Sequence, residues 1–115
     1  MSSLEMRDST FWILTALASE RRHGYSLIQE IKALSHGELV VKVATLYGAL
    51  DRLEKQGLVA PDGDEVVEGR LRRYFRITDE GSGRLAQELS RLEAKAARAR
   101  TALRPGLTLF VRSGT

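Results

Sequence analysis

The side chains of this chain best suited to bind a charged partner are the arginines between residues 70 and 76. Four arginines fall within the run Arg70-Leu71-Arg72-Arg73-Tyr74-Phe75-Arg76. Guanidinium groups hold phosphate oxygens through charge-assisted and often bidentate hydrogen bonds. The side chains alternate between two sets, which is typical of a β-strand: one set is Leu71, Arg73, Phe75 and Ile77, and the other is Arg70, Arg72, Tyr74 and Arg76. The segment therefore indicates a basic strand that can contact a phosphate-bearing partner.

The charge of the whole chain is less informative than its distribution. The formal net charge is +3, but residues 1–69 carry seven Lys or Arg against eleven Asp or Glu, whereas residues 70–115 carry eleven against four. A local basic cluster is better evidence for nucleic acid than a high isoelectric point. An ordinary solvated surface strand would be the alternative, and only the position of the cluster behind a pair of helices favours nucleic acid.

Size and composition exclude several classes of protein. A chain of 115 residues with 43% hydrophobic residues is expected to form one globular domain. Cysteine is absent, so disulfides, thiol nucleophiles and thiolate metal sites are excluded. His23 and His36 lie in turn-like segments without a third ligand or a nucleophile beside them, so we expect neither an enzyme nor a cofactor. Without an apolar run of about 20 residues or a secretion signal, a cytoplasmic location is expected.

Two helices are predicted before the basic strand. The first covers residues 9–19, with Asp8 or Ser9 as its N-cap. It is apolar nearly all round, so it needs a partner on two sides. A turn at residues 21–24 leads to a second helix over residues 24–34, and Gly37 is expected in the left-handed conformation just beyond it. Residues 38–42 are either an edge strand or a simple link.

A third helix is predicted over residues 43–56. Leu46, Leu50 and Leu53 form its core stripe, and Gly57 ends it. A hairpin follows, whose tip is placed at Glu68-Gly69, with a bulge or bend after Pro61. This register pairs Val67 with Arg70, Glu65 with Arg72 and Asp64 with Arg73. A helix followed by a basic hairpin predicts a mainly α fold with a small β-hairpin, the winged helix-turn-helix.

The predicted DNA contacts lie on the third helix and on the hairpin. Small residues at the start of the helix let it approach a groove closely, and Thr45 can contact a base. Tyr47 on the flank can donate to a phosphate or pack on the core. Cross-strand ion pairs are the alternative for Arg72 and Arg73, whereas Arg70 at the tip faces no acid. The predicted contacts are Lys42, Ala44, Thr45, Tyr47, Gly48, Arg52, Arg70 and Arg72.

A fourth helix begins after Thr78, a good N-cap residue. Its apolar residues follow a heptad-like spacing, which predicts a seam for a second copy of the chain. We expect residues 1–78 to form the winged-helix region, residues 79–104 the dimerisation helix ended by Pro105, and residues 105–115 a short tail. The predicted dimer contacts are Trp12, Leu85, Leu89, Leu92, Ala96, Ala99 and Leu103.

Short motifs along residues 8–104 resemble the PadR-like family of transcriptional regulators in its short form. They are His23-Gly24-Tyr25, Thr45-Leu46-Tyr47, Arg52-Leu53-Glu54 with Gly57-Leu58, the run from Arg72 to Thr78, and Gly81. The resemblance implies a homodimer that binds palindromic operators, usually as a repressor. It also implies a response to a small aromatic or cationic ligand at the dimer interface.

Two interpretations of the function remain open at this point. The first is a homodimeric repressor that binds duplex DNA. The second is a winged helix that uses its arginines to dock an acidic protein. Trp12 is likewise open, because it can pack in the core or the dimer interface or stack on a small ligand.

Overall fold

The structure, a computed structural model, describes the backbone of residues 6–114 and the side chains of residues 6–104. It confirms the winged helix-turn-helix fold with a long C-terminal helix. The sheet is antiparallel, with strand order β1-β3-β2. The elements, in chain order, are α1 (Asp8–Ser19), β1 (Arg22–His23), α2 (Gly24–Leu34), α3 (Val43–Lys55), β2 (Val59–Val67), β3 (Arg70–Ile77) and α4 (Asp79–Gly114).

The core lies where the first three helices meet the sheet. Leu46, Leu50 and Leu53 of α3 are buried, as their spacing predicts, and they join leucine and isoleucine side chains from α1 and α2. Phe75 of β3 is buried in the same cluster. Because this apolar stripe sets the rotation of α3 about its axis, the opposite face of that helix is turned to solvent.

The start of α1 differs from the prediction by one residue. The N-cap is Arg7, which has no side-chain capping bond, so the assignment of Asp8 or Ser9 to that position was wrong. Asp8 instead occupies the first turn, where its negative charge is favourable beside the exposed amides of the helix start.

The turn predicted at residues 21–24 contains a short strand. Arg22 pairs with Phe75 and His23 pairs with Tyr74, which adds β1 to the edge of the hairpin. Helix α2 has the predicted bounds, and Gly37 beyond it has the predicted positive φ of 80°. Residues 38–42 form no strand, so this segment is a link between α2 and α3.

The hairpin has the predicted register. Val67 lies opposite Arg70, Glu65 opposite Arg72 and Asp64 opposite Arg73, and the register shifts between Pro61 and Asp64. The two turn residues Glu68 and Gly69 have φ values of 52° and 78°. Positive φ at both central positions matches the twist of a two-residue hairpin turn.

Helix α4 starts as predicted but continues further. The Thr78 hydroxyl accepts the Gly81 amide at 2.9 Å, which confirms the N-cap. The predicted end at Pro105 was wrong, because α4 runs on to Gly114 and includes most of the segment assigned to a tail. Proline removes one helical hydrogen bond. The carbonyl released is that of Thr101, and this residue is exposed, so water can replace the lost donor.

The chain is elongated because α4 projects from the packed part. The principal extents are 62 × 31 × 22 Å. Beyond Arg91 nearly every described side chain of α4 is exposed. Within the described residues, no helix has both the length and the apolar character that crossing a bilayer requires.

Candidate nucleic-acid interface

The solvent-facing side of α3 presents four of the predicted contact residues together. Lys42, Ala44, Thr45 and Gly48 are all exposed. Lys42 is the N-cap of the helix and makes no side-chain capping bond. The first amides of α3 and the Lys42 ammonium group therefore lie at the same end of the helix, where both attract phosphate.

Tyr47 joins this face to the rest of the fold. Its ring packs edge-on against Phe75 of β3, with ring centroids 6.4 Å apart. Its hydroxyl lies against Gly24 at the start of α2. The packing alternative for Tyr47 is therefore confirmed, although 42% of the residue remains exposed. Donation to a phosphate stays a prediction.

The hairpin arginines differ in whether they have partners. Arg73 lies 3.9 Å from the Asp64 carboxylate, and both side chains are more than half exposed. Such an exposed pair contributes little to stability. Among the side chains of residues 6–104, Arg70 and Arg72 form no ion pair, although Glu65 lies opposite Arg72. The Glu65 carboxylate instead accepts the Tyr74 hydroxyl at 2.8 Å.

A hollow of about 340 Å³ separates the hairpin from the helices. It joins the start of α2, the middle of α3 and the basic strand, so these elements form one continuous surface. Three arginines of β3 line it, and so do one tyrosine of α2 and one of α3. The lining residues are His23, Gly24, Tyr25, Tyr47, Arg70, Leu71, Arg72 and Arg73.

His23 sits at the edge of the hollow as the N-cap of α2. Its Nδ1 accepts the Ser26 amide at 3.5 Å, while its own amide donates to Ser26 Oγ at 3.1 Å. Burial lowers the pKa of the imidazole, the Arg72 charge lowers it further, and Glu65 opposes the shift. The neutral ring fits this place, because a proton on Nδ1 would remove the acceptor.

The outer face of the sheet carries a residue that the sequence analysis missed. The Arg21 guanidinium lies 4.1 Å from the centre of the Tyr74 ring and donates to the Asp62 carbonyl at 2.9 Å. The Glu65 hydrogen bond and, less strongly, burial raise the pKa of Tyr74. No local sequence pattern predicts this cluster of Arg21, Tyr74 and Glu65, because Arg21 comes close to Tyr74 only through the pairing of β1 with β3.

Tyr25 is a second residue that the predicted site omitted. It lines the hollow and is 68% exposed. The sequence could have predicted that Tyr25 faces solvent, because position 25 falls outside the apolar stripe of α2 that includes Leu27 and Ile31. A large aromatic side chain turned outward beside three arginines can stack or donate a hydrogen bond to a ligand.

Arg52 lies apart from the other predicted contacts. Its Nη2 donates to Thr10 Oγ1 of α1 at 3.0 Å, and the side chain is half-buried. Burial lowers the pKa of this guanidinium, and the Arg7 charge lowers it further. Its place against α1 does not suit the predicted phosphate contact, because Arg52 is at the edge of the core stripe and its long side chain reaches the neighbouring helix.

The predicted dimer residues lie in three different environments. Leu85 is buried in the chain's own core, so its assignment to a dimer interface was wrong; the first turns of α4 pack on α1 and β3. Trp12 is half-buried and packs edge-on against Phe11, with ring centroids 5.0 Å apart. The others lie along the projecting part of α4, where Ala96 is half-buried and the exposed ones are Leu89, Leu92, Ala99 and Leu103.

The comparisons with known proteins point to one family. The family model described as "Transcriptional regulator PadR-like family" matches residues 13–87. The transcriptional regulator Rv3488 of Mycobacterium tuberculosis is 39% identical over 84 residues, which are 73% of this chain and 75% of that protein.

Solved structures share the fold. A transcriptional regulator from Clostridium thermocellum matches with a TM-score of 0.67 and 29% identity, covering 80% of this chain and 89% of that one. Bacillus subtilis PadR in complex with operator DNA matches with a TM-score of 0.65 and 21% identity, covering 73% of this chain and 46% of that one.

Proposed function

Because the chain belongs to the PadR-like family of transcriptional regulators, we propose that it is a homodimeric cytoplasmic repressor that binds a palindromic operator in duplex DNA. The observation that carries this proposal is the continuous surface formed by α3, the start of α2 and the basic hairpin. A helix flanked by a cationic hairpin can enter the major groove while the hairpin follows the adjacent backbone.

The DNA-binding part of the proposal is supported by a related fold bound to DNA. The Bacillus subtilis PadR structure contains operator DNA. The same arrangement of α3 and hairpin in this chain leaves Lys42, Thr45 and Arg70 exposed. We assign Thr45 to base contact, since its hydroxyl and methyl groups can each meet a base edge.

The remaining contacts position the protein on the DNA without reading sequence. Lys42, Arg70 and Arg72 supply phosphate contacts, and Ala44 and Gly48 allow close approach of the helix backbone. Tyr47 contributes a phosphate hydrogen bond from its hydroxyl, which lies beside the start of α2. Arg73 joins this set, because its pair with Asp64 is long and exposed and can open for a phosphate.

The homodimer is proposed from the projecting part of α4. Leu89 and Leu92 are 43% and 38% exposed, and Leu103 is 62% exposed. Together with Ala96 and Ala99 they form an apolar seam that the chain itself leaves uncovered. A second copy related by a two-fold axis would bury this seam. Two α3 helices related by that axis would contact half-sites about one helical turn apart, roughly 10 bp.

A response to a small aromatic or cationic ligand is proposed at Trp12. The indole is half-buried and already packs edge-on against Phe11, which leaves part of its surface for another planar group. Titration with planar compounds should quench the fluorescence of this single tryptophan. If no compound of such a panel changes the emission, Trp12 has a packing role alone.

Binding to DNA is tested by fluorescence anisotropy with random duplex DNA and with duplexes selected from a random pool. Arg70→Ala should weaken binding to every sequence, whereas Thr45→Ala should change the order of preference among sequences. Lys32→Ala is the charge-matched control, because Lys32 is exposed on α2 and does not line the hollow. No binding by the parent protein at about 50 mM salt would contradict the proposal and favour docking of an acidic protein.

A further inference from the structure

Two neighbouring acid–arginine pairs of the hairpin differ in whether the charges meet. Asp64 lies opposite Arg73, and Glu65 lies opposite Arg72. The Arg73 Nε lies 3.9 Å from the Asp64 carboxylate, whereas Arg72 forms no ion pair with any side chain of residues 6–104. Opposite charges directly across two antiparallel strands ordinarily attract each other. The open Glu65–Arg72 pair therefore requires a physical cause.

The hydroxyl of Tyr74 supplies that cause. It donates to Glu65 Oε1 at 2.8 Å. Tyr74 follows Arg72 by two residues on β3, so both side chains project from the same face of the sheet as Glu65. A long or aromatic side chain can reach the diagonal neighbour on that face. Asp64 projects from the opposite face, where no described hydroxyl donates to it, and there the ion pair with arginine forms.

The ring of Tyr74 is held in place by two neighbours. The Arg21 guanidinium lies 4.1 Å from its centre and is itself anchored by the hydrogen bond to the Asp62 carbonyl. The imidazole of His23 contacts the ring edge-on, with centroids 5.3 Å apart. A side chain packed in this way keeps one orientation. The hydroxyl is therefore directed at Glu65 before any partner binds.

Arg72 consequently remains near Glu65 without pairing with it. The charges of both residues act on the same imidazole, since Arg72 lowers the pKa of His23 and Glu65 raises it. Arg72 is exposed and lines the hollow between the hairpin and the helices. A guanidinium without a carboxylate partner has no ion pair to break when a phosphate approaches.

We propose that Tyr74 is a positioning residue for DNA binding, whose hydroxyl holds the Glu65 carboxylate away from Arg72 and leaves that guanidinium available for a phosphate of DNA. This role rests on the proposed function, because it acts only through the contact between Arg72 and phosphate. Tyr74 itself does not have to touch the DNA.

Tyr74→Phe tests the role of the hydroxyl with little disturbance of the fold. The phenyl ring keeps the contacts with Arg21 and His23, but the donor to Glu65 is lost. Glu65 can then pair with Arg72 and compete with phosphate, so the affinity for random duplex DNA at about 50 mM salt should fall about two- to fivefold. The slope of log affinity against log salt should also decrease, by up to about one. Fluorescence anisotropy measures both quantities.

Double-mutant cycles show whether the effect passes through Glu65 and Arg72. Tyr74→Phe should leave the affinity unchanged in a Glu65→Gln chain, which has no carboxylate to release, and in an Arg72→Gln chain, which has no guanidinium to capture. Glu68→Gln is the matched control, because it removes the same charge from the turn of the hairpin. In that chain Tyr74→Phe should still weaken binding about two- to fivefold.

The hydrogen bond itself is tested without DNA. The Glu65 hydrogen bond raises the pKa of Tyr74 above its ordinary value of 10.0. Glu65→Gln should therefore lower the pKa of Tyr74 toward that value. The difference between ultraviolet titrations of chains with and without Tyr74→Phe separates this residue from the other two tyrosines.

Each result decides between the inference and the function on which it rests. The positioning role is overturned if Tyr74→Phe binds DNA like the parent, if its loss persists in the Glu65→Gln or Arg72→Gln chain, or if Glu65→Gln leaves the pKa of Tyr74 unchanged. Failure of the parent to bind duplex DNA would instead reject the proposed function, and the role of Tyr74 with it.

Discussion

The ring of Tyr47 lies directly on Gly24, so close that a Cβ atom at residue 24 would come within 2.9 Å of the Tyr47 Cζ. Non-bonded contacts of a Cβ atom are essentially never this short. The contact joins the middle of α3 to the first residue of α2, and Phe75 packs edge-on against the same ring. The absence of a side chain at residue 24 therefore allows the Tyr47 ring of α3 to pack on the start of α2.

Gly24→Ala should lower both stability and DNA affinity. The added methyl must displace the rigid ring of Tyr47, which we expect to cost about 1–3 kcal/mol of the free energy of unfolding. Urea denaturation and anisotropy titration measure the two effects. In Gly24→Ala/Tyr47→Leu the shorter side chain removes the clash, so most of the stability lost through the alanine should return. An unchanged loss in the double variant would mean that the Tyr47 contact is not its cause.

Two glycines of α4 provide a matched pair for the docking of that helix. A Cβ atom at Gly81 would strike the Leu58 carbonyl, whereas nothing lies within 4 Å of one at Gly83. Gly81→Ala should therefore destabilise the protein by about 2–4 kcal/mol. Gly83→Ala should be neutral or stabilise it by up to about 1 kcal/mol, through helix propensity alone. Thermal unfolding of both variants tests this, and equal midpoints would contradict the close contact of α4 with Leu58.

His23 should make stability depend on pH. The pKa of its imidazole is lowered from the ordinary value of 6.5, so the unfolded chain takes up its proton at a higher pH than the folded chain. The contribution of His23 to the free energy of unfolding is therefore complete above a pH of about 6.5. It is lost as the pH falls through that value toward the lower pKa of the folded state. The midpoint temperature of unfolding should therefore decrease as the pH is lowered through this window.

A capping residue that does not titrate isolates this effect. His23→Asn keeps an N-cap acceptor and should flatten the decline in midpoint between a pH of about 7.5 and 5.5. His36→Asn is the control, because His36 is exposed and its φ of 52° suits asparagine. The assignment fails if His23→Asn declines as steeply as the parent or if His36→Asn alone is flattened.

Arg70→Ala should also change the salt dependence of DNA binding. Removing one phosphate contact should reduce the slope of log affinity against log salt by about one. Arg76→Ala provides a comparison within the same strand, since Arg76 is exposed but does not line the hollow. Parent-like slopes in both variants would exclude Arg70 from the phosphate contacts, whereas equal reductions would extend the contact surface along the whole strand.

The α4 seam can be tested by adding charge on two sides of the helix. Leu92→Glu should place a carboxylate in the proposed interface and yield a monomer near 12.8 kDa. Ala94→Glu adds the same charge on the opposite side of α4 and should leave the dimer intact. Sedimentation at micromolar concentration distinguishes the species, and a monomeric parent protein would rule out the proposed dimer.

Local signals in the sequence predicted much of this fold. The hairpin register followed from one turn, Glu68-Gly69, because strand pairing proceeds residue by residue from the tip. Thr78 was identified by the capping ability of its hydroxyl. Gly37 was identified by its tolerance of a positive φ. These features depend on neighbours only a few positions away.

The features that sequence analysis missed depend on distant neighbours. Strand β1 exists only because Arg22 and His23 meet β3, some fifty residues along the chain. Leu85 fits the heptad pattern but is buried in the chain's own core, because the first turns of α4 pack on α1. Arg52 has a helical position compatible with DNA, and only the fold shows that Thr10 holds its guanidinium.

One hydroxyl connects the two helices that would set operator geometry. The Thr78 side chain donates to the Gly57 carbonyl at 2.6 Å, just past α3, and accepts the Gly81 amide that opens α4. In a dimer held together by α4, the two hydrogen bonds of Thr78 would determine the distance between the paired α3 helices. A substitution at Thr78 could therefore give such a regulator a preference for a different half-site separation, without any change in the residues that contact DNA.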